Sequence, residues 1–218
     1  MKLEKMTDFF ETRLEGYDEH MLKNIPGAQE FYPFTAAQLP ATAGVKVLDL
    51  GCGTGIELGY YFDMNPSAEV TGIDLSAGML KRLEEKYCGK ALNLICGSYF
   101  ETELGQDEYD AAVSVESLHH FTKEEKTALY KKVYRTLKEK GYLILTDYFA
   151  LSAEEERMRR QELENLMRQQ GEAGAELYHY DTPLTVEHEM EALREAGFAV
   201  VRVLGKWGAT AVIRAEKG

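Results

Sequence analysis

The nine residues from Val47 to Gly55, Val-Leu-Asp-Leu-Gly-Cys-Gly-Thr-Gly, constrain this chain more than any other stretch. They read as a buried strand that runs into a glycine-rich turn, with Asp49 two residues ahead of the first glycine. Gly51, Gly53 and Gly55 have no Cβ, so the backbone there is free to turn sharply and to approach a ligand closely. A helix is expected from about Thr54, and its first N–H groups, unpaired within the helix, are available to polar ligand atoms. Such an arrangement builds a cofactor site.

Spacing separates two cofactor classes that use a turn of this kind. Dinucleotide-binding turns follow G-x-G-x-x-G, whose third glycine permits close helix–strand packing. Here that position is Ile56 and the glycine comes one residue early, at Gly55, which argues against a nicotinamide-dependent oxidoreductase. A second acidic residue stands in register. Glu69-Val-Thr-Gly-Ile-Asp74 reads as a short strand ending in a carboxylate, one βαβ step after Asp49. An acid at that place grips a ribose diol. Ser76 is able to cap the next helix, which leaves Asp74 free for a ligand. Further along lie Tyr109-Asp-Ala-Ala-Val-Ser-Val-Glu-Ser-Leu-His-His-Phe121 and Leu137-Lys-Glu-Lys-Gly-Tyr-Leu-Ile-Leu-Thr-Asp147, each an apolar strand with a polar exit.

These four ordered blocks resemble the class I S-adenosylmethionine-dependent methyltransferases, with D-x-G-x-G-x-G as their motif I. The resemblance is strong over about residues 43–150. It implies a Rossmann-like α/β fold, a doubly wound, seven-stranded, mostly parallel sheet with helices on both faces and an antiparallel C-terminal strand. It implies S-adenosylmethionine as cofactor and S-adenosylhomocysteine as product. Asp49 and the turn Gly51, Cys52, Gly53, Thr54, Gly55 would face the methionine end, and Asp74 the ribose. Leu75 and Met79 would flank the adenine, and Val115 and Glu116 would sit near the sulfonium. One departure stands out. Where the family commonly has an acid after the third strand, this chain has Gly97, Ser98 and Tyr99; Ser98 still accepts a hydrogen bond, and Tyr99 or Phe100 packs on the adenine.

The chain has 218 residues and an apolar fraction of 44%, which suits one globular core. No run of ~18 apolar residues occurs, so no membrane span is expected. The charged start, Met1-Lys-Leu-Glu-Lys-Met-Thr-Asp, lacks a signal-peptide core, and Cys52, Cys88 and Cys96 read as reduced thiols; both point to the cytoplasm. A net charge of −12, with the basic clusters Lys131-Lys132 and Arg157-Met-Arg-Arg160 read as parts of mixed, solvated helix faces, disfavours nucleic acid and leaves a small, neutral or cationic molecule as acceptor.

One domain is expected. Residues 1–40 form a helical cap, with helices near 4–22 and 28–38. Residues 41–150 form the cofactor-binding core, with strands near 45–50, 69–74, 91–96, 109–115 and 141–147 and helices near 54–63, 76–87 and 123–138. Residues 151–183 form a helical insertion, whose helix from Ala153 to about Gln170 is ended by Gly171-Glu-Ala-Gly174 and either packs over the site as a lid, makes a homodimer contact or lies solvated on the surface. Residues 184–218 supply a last helix near 185–196 and a hairpin turning at Gly205–Gly208.

Methyl transfer from a sulfonium needs alignment and exclusion of water more than it needs a base. Candidate catalytic residues are therefore few: His119 and His120, of which only one faces the cleft if the backbone there is extended, and Tyr17. Acceptor contacts are expected from His20, Asp147, Tyr148, His179 and Tyr180, and from an N-terminal helix face carrying Phe9, Arg13, Tyr17 and His20. His119, His120, His179, His188 and Asp181 are scattered in sequence without i,i+4 pairing, so no metal is expected. A sulfonium-modifying enzyme on the same cofactor, and a cofactor-binding protein without catalysis, remain the alternatives.

Overall fold

The computed structural model describes residues 2–171 and 177–218. Three short helices precede the sheet: α1 (Met6–Glu11), α2 (Tyr17–Asn24) and α3 (Ala28–Ala36). The single helix expected near 4–22 is two helices, because Gly16 takes a left-handed backbone, φ 75°, and redirects the chain before Tyr17.

Strand and helix then alternate: β1 (Lys46–Leu50), α4 (Ile56–Met64), β2 (Glu69–Asp74), α5 (Ala77–Lys86), β3 (Ala91–Cys96), β4 (Tyr109–Val115), α6 (Lys123–Thr136) and β5 (Leu137–Tyr148). After α7 (Ala153–Gln170) and α8 (Val186–Glu195), the chain ends in β6 (Val200–Trp207) and β7 (Thr210–Glu216). The seven strands lie in the order β3-β2-β1-β4-β5-β7-β6, and β7 runs antiparallel between β5 and β6. The hairpin turn is Gly208-Ala209 rather than Gly205–Gly208: Gly205 to Trp207 stay in β6, where Trp207 pairs with Thr210.

Parallel strands covered on both faces need apolar side chains pointing both ways. Leu48 and Leu50 of β1 pack with Leu129, Tyr130 and Val133 of α6 and Leu193 of α8. Val47, with Val70 and Val113, packs with Phe31 of α3 and Leu58 and Tyr61 of α4 on the other face. Asp49 shares the face of Val47 by the same alternation, which directs a carboxylate towards α4. On the opposite face, α6 and α8 are joined by a buried ion pair, Lys126 Nζ to Glu189 Oε2 at 2.5 Å, and the Tyr130 hydroxyl donates to the other Glu189 oxygen.

α7 buries none of its side chains. Its Glu156 holds His188 and the Thr185 N–H, and its Arg159 reaches the Tyr148 hydroxyl, so the helix braces the next loop. Of the expected stop signal after α7, Gly171 is a left-handed helix end, while Glu172, Ala173 and Gly174 lie outside the described residues. No helix among the described residues is long and apolar enough to cross a membrane.

Candidate functional site

β1 and β4 diverge where the sheet order reverses, and the glycine turn sits at that edge. Gly51, Gly53 and Gly55 all have positive φ. A Cβ on Gly51 would stand 1.9 Å from Ser117 Oγ, so only glycine allows the turn and the β4 exit to meet. Gly55 is the left-handed residue before α4, which therefore begins at Ile56, two residues later than the sequence suggests.

Asp74 is less free than its sequence implies. Ser76 does cap α5, accepting the Met79 N–H at 3.0 Å. Yet Asp74 Oδ1 also accepts the Ser76 N–H at 2.8 Å, and Oδ2 accepts the Gly53 N–H at 2.9 Å. One carboxylate thus ties the two ligand-facing turns together. Each oxygen keeps a second lone pair for a hydroxyl in the pocket it lines. Burial, outweighing these two N–H bonds, raises its pKa above the ordinary 3.8.

An inner pocket of about 50 Å³ lies over these turns. Gly51, Gly53, Asp74, Leu75 and Met79 line one side, and Tyr99, Val115 and Glu116 the other. The remaining expected cofactor residues act from behind that wall. The Cys52 thiol turns in against Gly72, and the Thr54 hydroxyl donates to Asp18. Gly55 receives the Tyr87 hydroxyl on its carbonyl at 2.6 Å. Gly97 donates to the Asp74 carbonyl at 2.9 Å, and Ser98 Oγ is taken by the Phe100 N–H at 3.2 Å. Met6 and Ser117, which the sequence did not single out, complete the lining with Phe10, Tyr17 and His120.

Asp49 is fully buried, and both its oxygens are without a hydrogen-bond partner among the described residues. Burial and the neighbouring Glu57 carboxylate push its pKa well above 3.8. Glu57 is buried too and its pKa is raised. The sequence hid this partner, since an acid in the first turn of a helix is ordinarily a favourable dipole neighbour. A buried carboxyl with unfilled acceptor positions beside a second buried acid fits a ligand that brings donors and positive charge. Their raised affinity for protons means that the folded protein alone gains stability as pH falls and loses it as pH rises through the raised value. Asp49→Asn is therefore expected to raise the melting temperature of the ligand-free protein at neutral pH by roughly 2–6 °C. The same change should weaken S-adenosylhomocysteine binding, and scanning fluorimetry with and without that ligand reads both signs.

A larger cavity of about 870 Å³ opens above the inner pocket. Phe9, Arg13, Tyr17 and His20 all line it, although they belong to two helices and a loop rather than to one helix face. Phe9 stacks on His179 at 3.4 Å between ring centroids, with the Arg13 guanidinium 3.7 Å from the Phe9 ring. Tyr148, Asp181 and Trp207 add further wall, and Trp207 also packs on Phe31 and Phe34.

Both histidines of the pair reach this cavity. Residues 118–120 turn instead of extending, which brings the two rings to the same side, 4.1 Å apart. Asp147 is buried behind them and does not line the cavity: its oxygens accept the Leu118 N–H, the Tyr148 N–H and, at 2.6 Å, His119 Nδ1. Burial alone would lower the His119 pKa, but Asp147, with Asp181 and Glu116, carries it up to about 9. His120, buried beside His119, is pushed well below 6.5. Glu116 has a left-handed backbone, φ 50°, and burial followed by Asp147 pushes its pKa up to about 7. Tyr180 offers its carbonyl to His120 Nδ1 and lies off the cavity wall, and His188 pairs with Glu156 away from the site.

Phe10, Tyr17, Glu116 and His120 line both cavities. They form a neck between the inner pocket and the outer chamber.

Residues 47–141 match the family model described as a methyltransferase domain. The chain is 31% identical over 104 residues to a malonyl-[acyl-carrier protein] O-methyltransferase of Priestia megaterium, an alignment that spans 48% of this chain and 37% of that protein. It spans no more than 55% of the length of the curated relatives next to it. A carboxy-S-adenosyl-L-methionine synthase of Campylobacter hominis is similar along nearly the whole length, 23% identical over 99% of this chain and 97% of that one. Among solved structures, human N-acetylserotonin methyltransferase in complex with S-adenosylmethionine shares the fold with a TM-score of 0.65 and 16% identity, over 97% of this chain and 55% of that one.

Proposed function

Because this chain carries a class I S-adenosylmethionine-dependent methyltransferase domain, we propose that it moves the cofactor's methyl group onto a small molecule held in the outer cavity. The neck formed by Phe10, Tyr17, Glu116 and His120 carries this reading. It joins a pocket framed by the glycine turn and Asp74 to a chamber of the size small-molecule sites have.

S-adenosylmethionine, when bound, supplies a methyl group already activated by a cationic sulfur. The chain's own residues would then hold and align. Gly51 and Gly53 let the backbone approach, Asp74 accepts from the ribose, and Asp49 offers unfilled acceptors to the amino-acid end. Phe10 and Tyr17 exclude water at the neck, which favours an in-line approach. Glu116, with its pKa near 7, favours positive charge at that point and takes the proton of an acceptor that must lose one. His119, His120, Tyr148 and His179 give the acceptor a wall of aromatic and hydrogen-bonding groups. The net charge of −12 favours a neutral or cationic acceptor over a polyanion.

A second reading has its own support in the end-to-end likeness to a carboxy-S-adenosyl-L-methionine synthase: the cofactor would itself be modified. One experiment separates the two. The protein is incubated with methyl-labelled S-adenosylmethionine and a small-molecule extract, and products are read by mass. Transfer predicts label in an acceptor and a matching yield of S-adenosylhomocysteine. Label retained in a cofactor of altered mass selects the second reading. S-adenosylhomocysteine should raise the melting temperature and NAD should not; the opposite pattern would remove both readings.

A further inference from the structure

We propose that His119, His120 and Asp181 form a binding site for a divalent transition-metal ion of the zinc type at the floor of the outer cavity. This goes beyond methyl transfer and stands on the cavity's geometry alone. Asp181 Oδ1 lies 3.5 Å from His119 Nε2 and 3.4 Å from His120 Nδ1. These distances are too long for good hydrogen bonds. They match the separation of about 3.3–3.5 Å between donor atoms that each sit roughly 2.0–2.2 Å from one tetrahedral ion. The other grouping in reach, Glu116, His119 and Asp147, does not suit an ion in this way: His119 Nδ1 and Asp147 Oδ1 are 2.6 Å apart, a hydrogen-bond length.

That short contact has a role in the first grouping. Metal-bound imidazoles ordinarily donate their second nitrogen to a carboxylate, which fixes the ring and its tautomer. Asp147 is fully buried and holds His119 by Nδ1, which leaves Nε2 pointing at Asp181. The segment that carries Asp181 is locked against the histidine turn. The Thr182 N–H donates to the His119 carbonyl at 2.9 Å, and the Thr182 hydroxyl donates to the His120 carbonyl at 3.1 Å. The turn that carries both histidines and the segment that carries Asp181 are therefore joined before any ion arrives. His120 Nδ1 is also 3.2 Å from the Tyr180 carbonyl, and that single long contact is what coordination would replace.

Two imidazoles and one carboxylate are a donor set for zinc, cobalt or iron in the divalent state rather than for calcium or magnesium, which prefer oxygen. All three residues line the cavity, so the ion's remaining positions would face the acceptor. An acceptor hydroxyl or amine bound there would lose its proton more readily, with Glu116 at the adjacent neck.

The test uses the full chain, freed of metal by a chelator. Calorimetry with Zn²⁺ and visible absorption with Co²⁺ are expected to show saturable one-to-one binding at micromolar concentration or below, with a Co²⁺ spectrum of four- or five-coordinate type. Asp181→Asn should weaken both ions by about 100-fold or more, and Asp147→Asn by about 10- to 100-fold. Asp181→Asn should leave the melting temperature and the affinity for S-adenosylhomocysteine unchanged, which reports separately on the fold and on the cofactor site. Absence of saturable binding by either ion would overturn the proposal. So would an affinity indifferent to Asp181→Asn, which would put the ion elsewhere, the exposed Cys88 and Cys96 included.

Discussion

Asp74→Ala will cost the protein at least about 100-fold in affinity for S-adenosylhomocysteine while leaving it folded. Two charge-assisted hydrogen bonds to a ribose diol contribute roughly 1.5–3 kcal/mol each, and each 1.4 kcal/mol is about tenfold in binding. The carboxylate also accepts the Gly53 and Ser76 N–H groups, so the same substitution loosens both turns. A drop of roughly 4–8 °C in melting temperature is the expected price for those two bonds. The acceptor role requires the ionised form. Because burial raises the Asp74 pKa, affinity should fall on acidification while the pH is still above the ordinary 3.8, and Asp74→Ala should lose that part of the dependence. Calorimetric titration across pH measures both effects. An affinity unchanged by the substitution would make Asp74 only a brace for the two backbone turns.

The largest stability effect is expected at the α6–α8 contact. Lys126 and Glu189 are almost wholly out of water, and breaking a buried ion pair by removing one partner costs about 3–5 kcal/mol, because the other charge is left uncompensated. Lys126→Met should therefore lower the melting temperature by roughly 6–20 °C. The Glu189 pKa is already raised by burial against the pull of Lys126, so the single variant will take up a proton there. Its stability should recover as pH falls, since protonation removes the stranded charge. Lys126→Met combined with Glu189→Gln should regain most of the loss, because an amide oxygen still accepts from the Tyr130 hydroxyl. A single variant as stable as the parent would mean that water or a shifted side chain reaches Glu189.

Most of the sheet could be read from the chain because parallel strands are short apolar runs ended by glycines and acids, as at Val47–Gly55 and Glu69–Asp74. Asp74 and the glycine turn were legible for the same reason: close backbone approach demands a residue type, and residue types are visible. Contacts made across the fold were not. Glu57 meets Asp49 only because β1 and α4 face each other, and Met6 and Ser117 reach the inner pocket only through packing. The pairing of both histidines with Asp181 depends on a turn at 118–120 and a returning segment some sixty residues later. Gly16 was in plain view, yet a lone glycine in a helical pattern signals a break only when its φ is known.

The two N-terminal helices are fastened to the cofactor turns at separate points. Glu11 Oε1 accepts from Ser76 Oγ at 2.7 Å and from the Gly78 N–H at 2.9 Å, while Asp18 takes the Thr54 hydroxyl and, at 2.6 Å, Lys86 Nζ. Beneath them the pocket holds only about 50 Å³, far less than a nucleoside with its amino-acid tail. Those carboxylates tie the walls of the pocket to the two helices, so room made for a nucleoside strains both fastenings. Phe10 of α1 and Tyr17 of α2 also line the upper chamber. Whatever fills either chamber therefore presses on the same two helices.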